Sequence, residues 1–157
     1  MSILFFFSCS PKRQDVLKYK SSPFTAEVSV SGGRIDFDAV FSVSALDGTG
    51  KRDFSAEFLS PESLKGLTLV QSGGEMKILL CGKEFLSEKN EILRLLDVGK
   101  IAEMLAPDGP IRSIKSEGGL TAVSIGSITV YIDPASSLPV KISDKESGLC
   151  VLVKDIK

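Results

Sequence analysis

From Phe24 onward, apolar and polar residues alternate with a period of two, the pattern of strands that bury one face. Phe24, Ala26, Val28 and Val30 share one side of a first strand. After Gly32-Gly33, the residues Ile35, Phe37, Ala39, Phe41, Val43 and Ala45 continue on one side of a long second strand, with Arg34, Asp36, Asp38, Ser42 and Ser44 mostly opposite. Asp47-Gly48-Thr49-Gly50 reverses the chain, and Phe54, Ala56 and Phe58 repeat the alternation. The stretch from Pro61 to Gly66 breaks this third strand, after which residues 67–70 and 76–81 form a hairpin around Ser72-Gly73-Gly74. The order is that of an antiparallel meander.

Between Ser87 and Ala106 the period lengthens. Ile92, Leu93, Leu95, Leu96, Val98, Ile101, Met104 and Leu105 recur at helical spacing. Ser87 reads as an N-cap with Glu88 and Glu91 in the first turn, Asp97 with Gly99 divides the segment into two short helices, and Pro107-Asp108-Gly109-Pro110 ends it. Strands resume over 111–116, 120–125, 128–132, 139–143 and 149–155. Roughly ten antiparallel strands cannot stay flat without curling or splitting. The predicted fold is therefore mainly β (α+β): a highly curved antiparallel open β-barrel of about ten strands with a helical lid.

The chain opens differently. Met1-Ser-Ile-Leu-Phe-Phe-Phe-Ser-Cys9 is an apolar run too short to span a bilayer. It reads as the end of a secretory signal and resembles the bacterial lipobox, in which a small residue precedes a cysteine that is diacylated and becomes the new N-terminus. That resemblance implies cleavage after Ser8 and lipid on Cys9, and two acyl chains suffice for stable anchoring. The alternative is that residues 1–8 form a buried first strand. Residues 10–15, Ser-Pro-Lys-Arg-Gln-Asp, are polar and turn-prone, as a tether should be. The division expected is a truncated signal with lipobox over 1–9, a tether over 10–22 and a barrel domain over 23–157. With Ser10 after the cysteine, the location implied is the periplasmic face of the outer membrane in a Gram-negative cell, or the outer face of the cytoplasmic membrane in a Gram-positive one.

Composition narrows the chemistry. At 157 residues and 43% hydrophobic content, there is material for one core and little more. The 19 basic and 20 acidic residues, for a net charge of −1, form no block that could neutralise a run of phosphates, so nucleic acid is not an expected partner. Histidine is absent, which removes the commonest general base and the commonest metal ligand. Asp36 and Asp38 on one strand face read as a solvated surface, without a further ligand for a metal. The glycine pairs open no helix and precede no lysine, so they are turns and not phosphate cradles. No serine has a histidine to activate it, although a serine–lysine dyad stays open. Neither enzymatic activity nor a metal or cofactor is expected. Cys81 and Cys150 lie in apolar strand-like stretches and are expected to be buried, either bridged or as free thiols.

Three stretches carry a family resemblance: Phe24-Thr-Ala-Glu-Val28 as opening strand, Phe54-Ser-Ala-Glu-Phe-Leu-Ser-Pro61-Glu-Ser-Leu64 as strand, proline and leucine, and Tyr131-Ile-Asp-Pro-Ala-Ser-Ser-Leu-Pro139-Val-Lys-Ile142 as a late hairpin. With the order of elements, they resemble the lipoprotein-carrier superfamily of LolA and LolB, an open barrel with a helical lid over a hydrophobic cavity. Against that pattern, the N-terminal helix is reduced to residues 14–20, and no arginine can be matched to the one that latches the carriers' lid. The resemblance implies a lipid-anchored, monomeric protein that binds an acyl chain, a lipid or a lipidated protein. Phe37, Phe41, Phe54, Phe58, Ile78 and Leu80 then line the cavity, unless they are simply packed core. Leu93, Leu96, Ile101, Met104 and Leu105 form the lid, Met104 being suited to a surface that repacks. The competing expectation is an accessory envelope lipoprotein whose barrel is filled by its own side chains.

Overall fold

A computed structural model describes residues 15–85 and 96–157 of the chain. A 3-10 helix, Asp15–Ser21, leads into β1 (Phe24–Ser31), β2 (Phe37–Val43), β3 (Phe54–Ser60), β4 (Leu67–Ser72), β5 (Glu75–Leu80) and β6 (Lys83–Phe85). A helix, α1 (Val98–Leu105), precedes β7 (Ile111–Glu117), β8 (Leu120–Ile125), β9 (Ile128–Asp133), β10 (Leu138–Asp144) and β11 (Cys150–Ile156). These eleven strands join one sheet in the order β6-β5-β4-β3-β2-β1-β11-β10-β9-β8-β7, with antiparallel pairing throughout. Among the described residues the edge strands β6 and β7 are unpaired with one another, so the curved sheet is an open barrel, as the alternation predicted. The chain passes from one edge to the other through the segment that contains α1.

Alternation determines the inner face. Phe24, Ala26, Val28 and Val30 of β1, Phe37, Ala39, Phe41 and Val43 of β2, and Phe54, Ala56 and Phe58 of β3 are buried, while their neighbours in sequence point outward. In the other half Val123, Ile125, Ile128, Val130, Ile132, Ile142 and Val151 do the same. The halves meet where β1 pairs with β11, a seam extended by reciprocal bonds between Thr25 and Lys157, each N–H to O distance being 2.9 Å. Gly32 at its far end, with φ +85°, lies so close to the Gly148 carbonyl that a Cβ would stand 2.3 Å from that oxygen, so only glycine fits there.

The helix forms where the spacing changes from two to three and four. Val98, Ile101, Ala102, Met104 and Leu105 face the sheet, and Lys100 and Glu103 face out, 3.3 Å apart. Asp97 precedes it in the left-handed region at φ 47°, the break expected near Asp97 and Gly99. The Ala106 N–H still bonds to Ala102, and Pro107 blocks continuation. Ser87 as a cap, Leu93 as a lid residue and Cys9 with its lipobox lie outside the described residues.

Several expectations need correction. The second strand pairs only over Phe37–Val43, leaving Ile35 36% exposed and Asp36 outside the sheet, because alternation continues beyond the point where a partner strand is in register. Asp38 consequently does not share a strand face with Asp36. Leu80, expected with Ile78 on the cavity wall, is the last residue of β5 and is 43% exposed at the sheet's end. Cys81 is not buried in a strand: it occupies the turn to β6 with φ 50° and is exposed, and Cys150 is half-buried on β11. Among the described residues both thiols are free, and β4, β3, β2 and β1 stand between their strands. The short edge strand β6 has no apolar alternation that could have announced it.

Candidate ligand-binding site

The aromatic residues singled out from the sequence come together on the inner face. The Phe37 and Phe58 rings lie 5.0 Å apart and tilted, and Phe41 and Phe54 lie 6.4 Å apart. Phe41 and Phe58 are essentially sealed, and Ile78 joins the same cluster. From the opposite side, Leu96, Ile101, Met104 and Leu105 are all buried in that core. Sheet and helix thus share one continuous apolar interior.

The polar contacts that hold α1 in place sit near its two ends. At the C-terminal end the Tyr19 hydroxyl donates to the Leu105 carbonyl at 2.8 Å, and the Lys20 ammonium donates to the Pro107 carbonyl. Burial raises the pKa of the Tyr19 phenol, only partly offset by the Arg52 charge, so it remains a donor. Asp108 then lies 3.5 Å from Lys20 and 3.8 Å from Arg52. Burial lowers the Lys20 pKa, with Asp108 opposing and Arg52 reinforcing the shift. Toward the other end, Lys100 reaches Asp144 at 3.7 Å. Asp144, the last residue of β10, is buried and accepts from the Ser147 hydroxyl at 2.6 Å and from the Ser147 N–H at 3.1 Å. Burial opposes its ionisation, but the Ser127 and Ser147 hydroxyls, that N–H and Lys100 outweigh it and hold the pKa at about 2.

Arg52 is the residue that sequence reasoning missed. It lies between strands, and its partners are distant in sequence: Nη1 donates to Lys20 O at 3.1 Å and to Ser44 O at 3.0 Å. Its side chain is only 10% exposed, and its Nε is buried without a partner among the described residues. An unsatisfied buried donor costs about 1–3 kcal/mol. Arg52, Gln71, Glu103 and Asp108 rim a cleft of about 190 Å³ beside the helix, whose apolar walls are Val43, Phe54, Ala102 and Ala106. A larger groove of about 480 Å³ lies at one end of β1–β4. Its polar groups largely satisfy one another: Thr25 and Ser42 hydroxyls are 3.3 Å apart, and Asp53 accepts from Ser72 Oγ and Gly73 N.

On the outer face, one lysine and two serines meet at a single carboxylate. Lys154 Nζ lies 2.9 Å from Asp38, which also accepts from the Ser29 and Ser60 hydroxyls. Those bonds, that of Ser29 foremost, hold the Asp38 pKa at about 2. Among the described residues no group of acidic or cysteine side chains is placed to hold a metal ion, and no helix is long and apolar enough to cross a membrane.

An open antiparallel barrel crossed by an apolar helix is the layout found. No protein-family model matches the chain, and no curated protein matches it. Among solved structures it is similar to a conserved protein of Thermus thermophilus, at 23% identity over 92% of this chain and 83% of the other, with a TM-score of 0.47. It is also similar to a LolA superfamily protein from Nitrosomonas europaea, at 10% identity over 94% of each chain and a TM-score of 0.40. MucB, known also in a Pseudomonas aeruginosa complex with MucA, is similar at 10% identity and a TM-score of 0.43 over 92% of this chain, which spans 56% of MucB. Likenesses at this level carry no statement about ligand or partner.

Proposed function

We propose that the chain is a binding protein for a hydrophobic ligand, an acyl chain, a lipid or a lipidated protein, and not an enzyme, held at the cell envelope through a diacylated Cys9. The observation that carries this reading is the attachment of α1. An eight-residue helix covers part of a continuous apolar face, and its polar ties lie near its ends, where their release would free it. The cleft of about 190 Å³ beside it is smaller than the ~300 Å³ at which small-molecule pockets begin. Entry of a ligand into the apolar interior by way of this cleft therefore requires α1 to move, with Met104 and Leu105 exchanging contacts with the sheet for contacts with ligand.

The second reading, an accessory envelope lipoprotein with a filled barrel, is favoured by one observation: Phe41, Phe58, Ile101, Met104 and Leu105 are all sealed within one core. Native mass spectrometry of the protein extracted from its host separates the two. A co-purified lipid mass, displaced by a fluorescent fatty acid, is the result expected for a binding protein. Absence of any adduct together with no fatty-acid uptake would leave the accessory reading standing. The anchor is tested independently by Cys9→Ala, which should move the protein from the detergent phase to the soluble fraction while leaving it folded.

A further inference from the structure

We propose that the cleft beside Arg52 takes the anionic head group of an amphiphile, whose tail lies against Val43 and Phe54 beneath α1. This rests on the hydrophobic-ligand reading and adds to it the chemistry of the ligand's polar end. Arg52 is nine-tenths buried, borders the cleft and carries a buried Nε–H without an acceptor among the described residues. Its Nη1 is fixed by two backbone carbonyls, which hold the guanidinium in place before any ligand arrives.

The surrounding charges leave room for an anion. Lys20 and Arg52 converge on a single half-exposed carboxylate, that of Asp108, at 3.5 and 3.8 Å. The other acid on the cleft, Glu103, is engaged by Lys100 at 3.3 Å. Two cations facing one loosely held carboxylate favour its replacement by a carboxylate or phosphate that fits the guanidinium fork. The helix wall of the cleft is made of Gly99, Ala102 and Ala106. A Cβ at Gly99 would meet nothing within 4 Å among the described residues. Apolar wall and buried cation in one cleft match an amphiphile better than a neutral hydrocarbon. Exchange of the ligand's anion for Asp108 also releases one tie on the segment that follows α1, which couples head-group capture to opening of the cover.

The test compares laurate, dodecyl phosphate and dodecanol as displacers of a fluorescent probe from the full-length protein. Both anions should bind about tenfold or more tighter than dodecanol, the difference made by a charge-assisted hydrogen bond, and added salt should shrink the gap. Arg52→Gln should compress the anion-to-alcohol ratio to within about twofold, and Arg52→Lys should retain part of it. Asp108→Asn, at a half-exposed position, should widen the ratio, and it decides the matter if Arg52→Gln does not fold. The ratio of laurate to dodecyl phosphate distinguishes a fatty acid from a phospholipid head. Equal affinity for all three ligands overturns the head-group site and leaves the hydrophobic-ligand reading intact. An unchanged ratio in folded Arg52→Gln, or in Asp108→Asn, overturns the site as well. Failure of all three to bind overturns both.

Discussion

The two halves of the sheet close their interiors by different means. Among the described residues each buried phenylalanine lies in β1–β3, where Phe37 meets Phe58 and Phe41 meets Phe54 ring to ring. In β7–β11 the inner face is built of valine and isoleucine, and α1 packs nearest β10. Aromatic pairs fill depth from within a single layer, whereas short branched side chains leave a shallow seat that a second layer must cover. Both halves belong to one core with the helix, but one contributes depth from its own rings and the other relies more on the helix for cover.

Cavity-forming substitutions should expose that difference. Phe41→Ala removes a sealed ring from the aromatic half and should cost about 3–5 kcal/mol in denaturant unfolding. Met104→Ala should cost less, about 2–3 kcal/mol, because the helix can settle toward the sheet. It should speed hydrogen exchange in α1 and β10 while leaving β2 protected. A larger loss from Met104→Ala, or exchange raised equally in β2, would break the distinction.

Acid should act on both halves, because each holds one carboxylate with a folded pKa of about 2: Asp38 on β2 and Asp144 at the end of β10. Against an ordinary value of 3.8, both are depressed on folding. Their contribution to stability is therefore fully present above about pH 4 and is lost as the pH falls toward 2. Asp144→Asn should remove its share of that acid sensitivity and loosen α1, Asp38→Asn its share alone, as read from melting temperature against pH. The smallest effect concerns thiols: Cys81 should label rapidly in the native protein and Cys150 slowly, with no change in stability.

Strand positions were legible wherever a glycine turn coincided with a break in alternation. The strand over Leu120–Ile125 is bounded by Gly118-Gly119 and Gly126, and it is found where the pattern placed it. Alternation misled where it outran pairing, at Ile35 and at the apolar run ending in Cys81, since period two describes a face and not a partner. Helical spacing from Leu96 to Leu105 identified buried residues correctly, because amphipathicity is a local property. Arg52 had no local signal. Its role depends on Lys20, Ser44 and Asp108 meeting around it, an encounter that only the closed fold produces.

The seam between β1 and β11 has a consequence for how the molecule is made. Within each half, successive strands pair with their neighbours in sequence, so each meander can form quickly from nearby contacts. The seam alone joins strands from opposite ends of the described chain. During synthesis, β1 waits with an open row of N–H and C=O groups until β11 emerges. For that interval the nascent protein carries, at what becomes the middle of its sheet, the edge most exposed to pairing with a stranger.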